Sequence, residues 1–177
     1  GIKDNEIVVG THLDLSGPVA AGMPQLRNGM QMRLDEANEK GGVNGRKLKL
    51  LVEDSAYDPK RSVLAAQKLV NVDHVVGIIG GGCSSETLAA APIAEAAGVV
   101  LLSPTASSPD VTKAGDFVFR NYPSDALKTV AMAAFFKEKG FKKIAMITEN
   151  TDFAQGFRTS LKKDVGEDAI IFDEVVE

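Results

Sequence analysis

Two hydroxyl-rich segments, Cys83-Ser84-Ser85-Glu86-Thr87 and Ser103-Pro104-Thr105-Ala106-Ser107-Ser108, each follow directly on a short apolar run, Val75 to Ile79 in the first case and Val99 to Leu102 in the second. Hydroxyls at such junctions can do two things. They can cap the helix that follows a strand, accepting from its first free N–H groups. They can also join those N–H groups and the positive end of the helix dipole in holding a small carboxylate. For either loop alone capping suffices. Two such loops on neighbouring strands, at the sheet edge where open α/β folds bind ligands, weigh as evenly toward a ligand site as toward capping.

The surrounding chain must supply a sheet that brings the loops together. Its 177 residues are 44% hydrophobic, enough to bury a core. The net charge is -4 and the sequence pI is near 5.3, with Lys and Arg scattered among acids, so nucleic acid is not an expected partner. No apolar run approaches the roughly 20 residues that span a bilayer, and the chain reads as a soluble globular protein. Gly1-Ile2-Lys3-Asp4-Asn5-Glu6 is polar and leads straight into a strand, which fits a cytosolic protein or a mature exported one equally. Cys83 is the single cysteine, so no intrachain disulfide forms, and at a strand end it reads as a small buried hydrophobe rather than a nucleophile.

Strand and helix patterns alternate along the chain. Ile7 to Leu13 reads as a first strand, and Leu26, Met30, Leu34 and Ala37 recur at helical spacing between about Gln25 and Lys40, with Gly41-Gly42 as the stop. Lys47 to Val52 is a second strand. Asp58-Pro59 opens a second helix, with an acceptor at the cap and proline in the first turn, and Val63, Ala66 and Val70 share one of its faces. The third strand starts at Val75. Leu88 to Ala97 is Ala-rich and helical, with Pro92 expected to kink it or start a new short helix. The fourth strand enters the second hydroxyl loop, and Phe117 to Pro123 is a fifth extended segment. From Ser124 the pattern restarts: a helix through Leu127, Val130, Ala131 and Ala134, a strand over Ile144 to Ile147, a helix from Asp152 and a strand near Ala169 to Val175. Two strands cannot cover both faces of a parallel sheet, so this second unit reads as the opening of a further α/β lobe.

Enzyme patterns fit poorly. Gly80 and Gly82 could begin a dinucleotide-binding turn, but the third position is Ser85, and the next strand ends at Ser103-Pro104 without the acid that would hold a ribose. Neither a phosphate loop G-x-x-x-x-G-K-[ST] nor a nucleophile elbow G-x-S-x-G is present. Only His12 and His74 offer imidazole bases; His74 reads as a surface residue, and His12, near Asp14, lacks further ligands in its vicinity for a metal or base role. A phosphoacceptor receiver would end its third strand in an acid, where this chain has glycines.

Leu15-Ser16-Gly17-Pro18-Val19-Ala20, Asn38 to Arg46, Glu53-Asp54 with Asp58-Pro59, Cys83-Ser84-Ser85 and Leu102-Ser103-Pro104 together resemble one family, in order along essentially the whole chain. It is the type I periplasmic binding proteins of ABC importers, of the leucine/isoleucine/valine-binding kind. The resemblance implies an α/β fold of two similar lobes: a parallel, flavodoxin-like sheet with helices on both faces over residues 1–120, then the hinge crossover and the first segment of a second lobe over 121–177. It implies a ligand set of Ser84 and its neighbour Ser85 in the first loop, Thr105, Ala106 and Ser107 in the second, and Phe153 as the aromatic of the second lobe, with Arg120, Asn121, Tyr122 and Pro123 as the hinge. Three positions depart from the best-known relatives: Phe153 for Tyr, Gly22 where an aromatic covers the ligand side chain, and Tyr57 where some have a cysteine bonded to the Cys83 position. Family members are roughly twice as long, and the acid that usually receives the ligand's ammonium group lies beyond the matched part.

What the resemblance implies about function is a periplasmic or otherwise extracytoplasmic receptor, not an enzyme, that needs no cofactor or metal. It would capture a branched-chain or other small amino acid, or a related carboxylate, with backbone N–H groups and the hydroxyls of Ser84 and Ser107, then close about the hinge. Its partner would be the membrane permease of an ABC importer. A sensory domain of the same fold is the alternative, and an α/β enzyme a remote one. The unfinished sheet edges lead us to expect self-association or a second chain completing the lobes.

Overall fold

The computed structural model describes residues 1–177. Five parallel strands, β1 (Glu6–Leu13), β2 (Lys47–Asp54), β3 (Gly77–Ile79), β4 (Val100–Ser103) and β5 (Val118–Arg120), form one sheet in the order β2-β1-β3-β4-β5. β1 and β2 pair from Glu6↔Lys47 to Leu13↔Asp54. Strand order reverses at β1, since the chain first steps outward to β2 through α1 (Met23–Glu39) and then back past β1 to β3 through α2 (Pro59–Gln67). Right-handed crossovers in opposite directions place their helices on opposite faces. Accordingly α2 packs with α3 (Ser84–Ala97), while Met23 of α1 lies near Leu13 on the other side of the sheet.

The core sits between the sheet and the α2/α3 layer. Val8, Ile78, Leu101 and Val118 from the strands meet Ala66, Leu69 and Val70 near the end of α2 and Ala90, Ala91 and Ala94 from α3. The alanines let α3 lie close to the sheet, so small side chains here serve packing. The expected cap at Asp58 forms: its carboxylate accepts from Lys60 N at 2.8 Å, with Pro59 in the first turn.

Several boundaries differ from the sequence expectation. β3 starts at Gly77 instead of Val75, because α2 runs on through a π-type turn over Lys68–Val72 and the chain then passes His74, at φ +52°, before reaching the sheet. α3 begins at Ser84, not Leu88, so the first hydroxyl segment is the first turn of the helix itself. Pro92 does not break α3, whose buried alanines on either side keep it seated. The second hydroxyl loop leads only into a 3-10 turn, Pro109–Lys113, before β5.

After Arg120 the chain builds α4 (Asp125–Glu138), β6 (Ile144–Glu149), α5 (Asp152–Val165) and β7 (Ile170–Val176). β6 and β7 form a separate parallel pair. Met146 and Thr148 are buried, while Ile147 is 72% exposed and Ile171 and Phe172 are also open. One face of this pair is therefore covered and the other is bare. No helix is long and apolar enough to cross a membrane.

Candidate functional site

The two hydroxyl loops meet at the carboxyl ends of β3 and β4. A turn at Gly81, φ +70°, aims the chain from β3 into α3, and a Cβ there would lie 2.3 Å from Thr87 Oγ1, so only glycine fits. Thr87 Oγ1 is within hydrogen-bonding distance of Gly81 O and Cys83 O, both at 2.9 Å, and of Ser103 Oγ at 3.1 Å. Ser103 Oγ donates to Gly81 O at 2.6 Å and accepts from Ala106 N at 3.1 Å. These buried bonds join loop one to loop two.

Hydrogen-bond partners sort the hydroxyls by what each has left to offer. Ser84 is 2% exposed, and its Oγ accepts from Ser108 N at 3.1 Å, which leaves its own proton to donate. Ser85 Oγ accepts from Asp152 N at 3.2 Å and is in the same position. As the first residues of α3, both also carry N–H groups with no acceptor inside the helix. Thr105 Oγ1 instead donates to Gly82 O. Ser107 Oγ donates to Asp125 Oδ2 at 2.7 Å, because a carboxylate can only accept. Of the two hydroxyls expected to donate to a carboxylate, those of Ser84 and Ser107, the second is here engaged with Asp125. Ser84 and Ser85 are the available donors, and Ser107 presents only lone pairs.

Charge around the site is mostly negative. Glu86 lies fully buried at the start of α3, bonded to Ser55 Oγ and to Cys83 N (2.8 Å), and burial pushes its carboxyl above the usual range. Burial, with Glu86 nearby, pushes the Cys83 thiol up to about 12. Asp125 is also fully buried; Lys128 Nζ stands 2.7 Å from its Oδ1 as an ion pair, but out of line for a hydrogen bond. Asp14 accepts from Gly17 N and from Val19 N at 2.8 Å, holding the loop after β1. No group of three or more His, Cys, Asp or Glu side chains is placed to hold a metal ion.

The second unit closes the site from above. A cleft of about 310 Å³ spans both units and is lined by Tyr57 and Ser85 on one side and Asn150, Thr151, Asp152 and Gln155 on the other. Tyr57 adopts a left-handed backbone, φ +62°, and burial raises its hydroxyl pKa. Phe153 does not join this cleft. It is 43% exposed and lines a cavity of about 370 Å³ with Met146, Phe157 and Leu161 along β6 and α5.

At the crossover, Arg120 ends β5 and donates to Ser108 O (2.5 Å) and Thr112 Oγ1 (2.6 Å), while Asn121, Tyr122 and Pro123 are exposed. Asp125 N donates to Ser107 O at 2.8 Å, so the second loop is tied to both ends of the crossover. Tyr57, Asn150, Gln155 and Asp125 were not legible as site residues. Gly156 of α5 packs against Ser108 and Pro109 of the second loop, and its sequence signal is its isolated position inside a helical pattern, which marks a close approach.

This arrangement, a doubly wound sheet whose switch-point loops are roofed by a second α/β unit, matches known proteins. Residues 6–168 fit the sequence profile described as periplasmic binding protein, and the chain belongs to that family. It is 36% identical over 165 residues to the leucine-, isoleucine-, valine-, threonine- and alanine-binding protein of Pseudomonas aeruginosa, covering 92% of this chain and 44% of that protein. Among solved structures it resembles the branched-chain amino acid transporter substrate-binding protein LivJ of Streptococcus pneumoniae in complex with isoleucine, with TM-score 0.84, 28% identity and coverage of 97% of this chain and 50% of that one. It also resembles the leucine-binding protein LivK of Thermotoga maritima, with TM-score 0.82, 26% identity and coverage of 95% and 49%. The chain therefore spans about half the length of these relatives.

Proposed function

We propose that the protein is the ligand-capturing part of an extracytoplasmic solute-binding component of an ABC importer, and that its ligand is a small amino acid of the branched-chain kind. The observation that carries this is the start of α3: Ser84 and Ser85 keep hydroxyl protons and helix-start N–H groups without an acceptor inside the helix, and Ser85 lines the cleft, a donor set suited to one carboxylate. Relatives that bind leucine, isoleucine and valine support the amino acid. Residues 1–120 act as one lobe, and 121–177, with Arg120 to Pro123 as hinge, as the beginning of the other. The ligand binds with its carboxylate against Ser84 and Ser85 and its ammonium toward the acceptors of loop two, Ser107 among them, while Thr105 and Ala106 shape the loop. Phe153 contributes from the second lobe only if α5 shifts, since its ring lies along β6.

A membrane permease is the partner that this role requires. The bare face of β6 and β7 is read as a surface for self-association or for a second chain, which size-exclusion chromatography checks. Calorimetry with leucine, isoleucine, valine, threonine and alanine tests the reading: saturable binding of at least one supports it, and heat-silent titrations with all five refute it.

A further inference from the structure

Gly156 lies in the interior of α5 with ordinary helical geometry, so its backbone does not require glycine. Its surroundings do. A Cβ at this position would lie 2.5 Å from Ser108 Oγ and 3.1 Å from Pro109 Cδ, in the second hydroxyl loop of the five-stranded unit. Asp152, four residues earlier and on the same helix face, donates its N–H to Ser85 Oγ at 3.2 Å. One face of α5 therefore lies across both loops, its first turn on loop one and Gly156 on loop two.

Ser108 is the residue through which this contact reaches the site. Its N–H donates to Ser84 Oγ at 3.1 Å, and its carbonyl accepts from Arg120 at the crossover at 2.5 Å. We infer that the seating of Gly156 on Ser108 sets how far the two units close, making Gly156 a positioning residue for ligand capture. Any side chain at 156 wedges α5 off loop two, lengthens the Asp152 to Ser85 contact, and opens the cleft over Ser85. The inference rests on the proposed binding role, but closure itself can be read without any ligand.

The test places nitroxides at Lys60→Cys and Lys142→Cys, both exposed and on different units, and measures their separation by double electron–electron resonance with and without isoleucine. Cys83, half-buried and with its thiol pKa pushed up to about 12, stays unlabelled. The otherwise unsubstituted chain should show a short separation matching the structure. Gly156→Ala, a change that ordinarily favours a helix, should add a longer population and weaken isoleucine binding roughly tenfold or more. Adding Ser108→Gly, which removes the obstructing hydroxyl but keeps the N–H that serves Ser84, should restore the short separation. Absence of the short population at the outset, no lengthening in Gly156→Ala, or lengthening that Ser108→Gly fails to reverse would each overturn the inference. Isoleucine that binds none of the variants would count against the ligand reading alone, because the separations still decide closure.

Discussion

His12 offers the sharpest stability test. It sits at the end of β1, fully buried, with neither ring nitrogen hydrogen-bonded and the ring edge against Gly80. Burial alone drives its pKa from 6.5 down to about 4, because a charged imidazolium there would be desolvated without compensation. Between those values the unfolded chain binds a proton that the folded chain refuses, so stability rises with pH across this window and falls as pH drops through it. At 1.36 kcal/mol per pH unit the contribution amounts to about 3 kcal/mol, a large part of the roughly 5–15 kcal/mol typical of a folded domain. Urea unfolding from pH 7.5 to 4, followed by circular dichroism, should show this loss in the native chain. His12→Leu should remove most of the slope and be no less stable at pH 7.5, since it also eliminates two unpaired buried nitrogens. A variant that keeps the same pH slope would refute the argument, because the titration would then belong to other groups.

Other expectations follow from the same geometry. Cys83→Ser should leave isoleucine affinity within a few fold, and the native thiol, half-buried and with its pKa pushed up to about 12, should react slowly with Ellman's reagent at pH 8; rapid labelling blocked by isoleucine would contradict this. Thr87→Val removes the hydroxyl at the junction of Gly81, Cys83 and Ser103 without changing shape, and should cost about 1–3 kcal/mol in urea unfolding; an unchanged midpoint would mean the loops hold together without it.

Much of the fold could be read from periodicity. The apolar strands, the Asp58-Pro59 cap and the alternation of strand and helix are local signals, and the structure follows them with shifts of a few residues. The π-type turn after α2 and the uninterrupted helix through Pro92 were not legible, because tertiary packing of Leu69, Val70 and the α3 alanines decides them. At the site, residue type showed that Ser84, Ser85 and Ser107 carry hydroxyls, but not where each proton goes. That depends on Asp125, 18 residues from Ser107, and on Ser108, 24 residues from Ser84, partners that only the fold brings near. Tyr57 and Gln155 line the cleft for the same reason, each from a different unit.

The central claim is that the start of α3 receives a ligand carboxylate, and titration of isoleucine into the native protein and into Ser84→Ala tests it most directly. Loss of a hydrogen bond to a charged group should weaken binding by about 1.5–3 kcal/mol, roughly ten- to a hundredfold, while isoleucinamide, which lacks the carboxylate, should bind poorly to both. Equal affinity of the two proteins for isoleucine, or equal affinity of the native protein for isoleucine and its amide, would contradict the account.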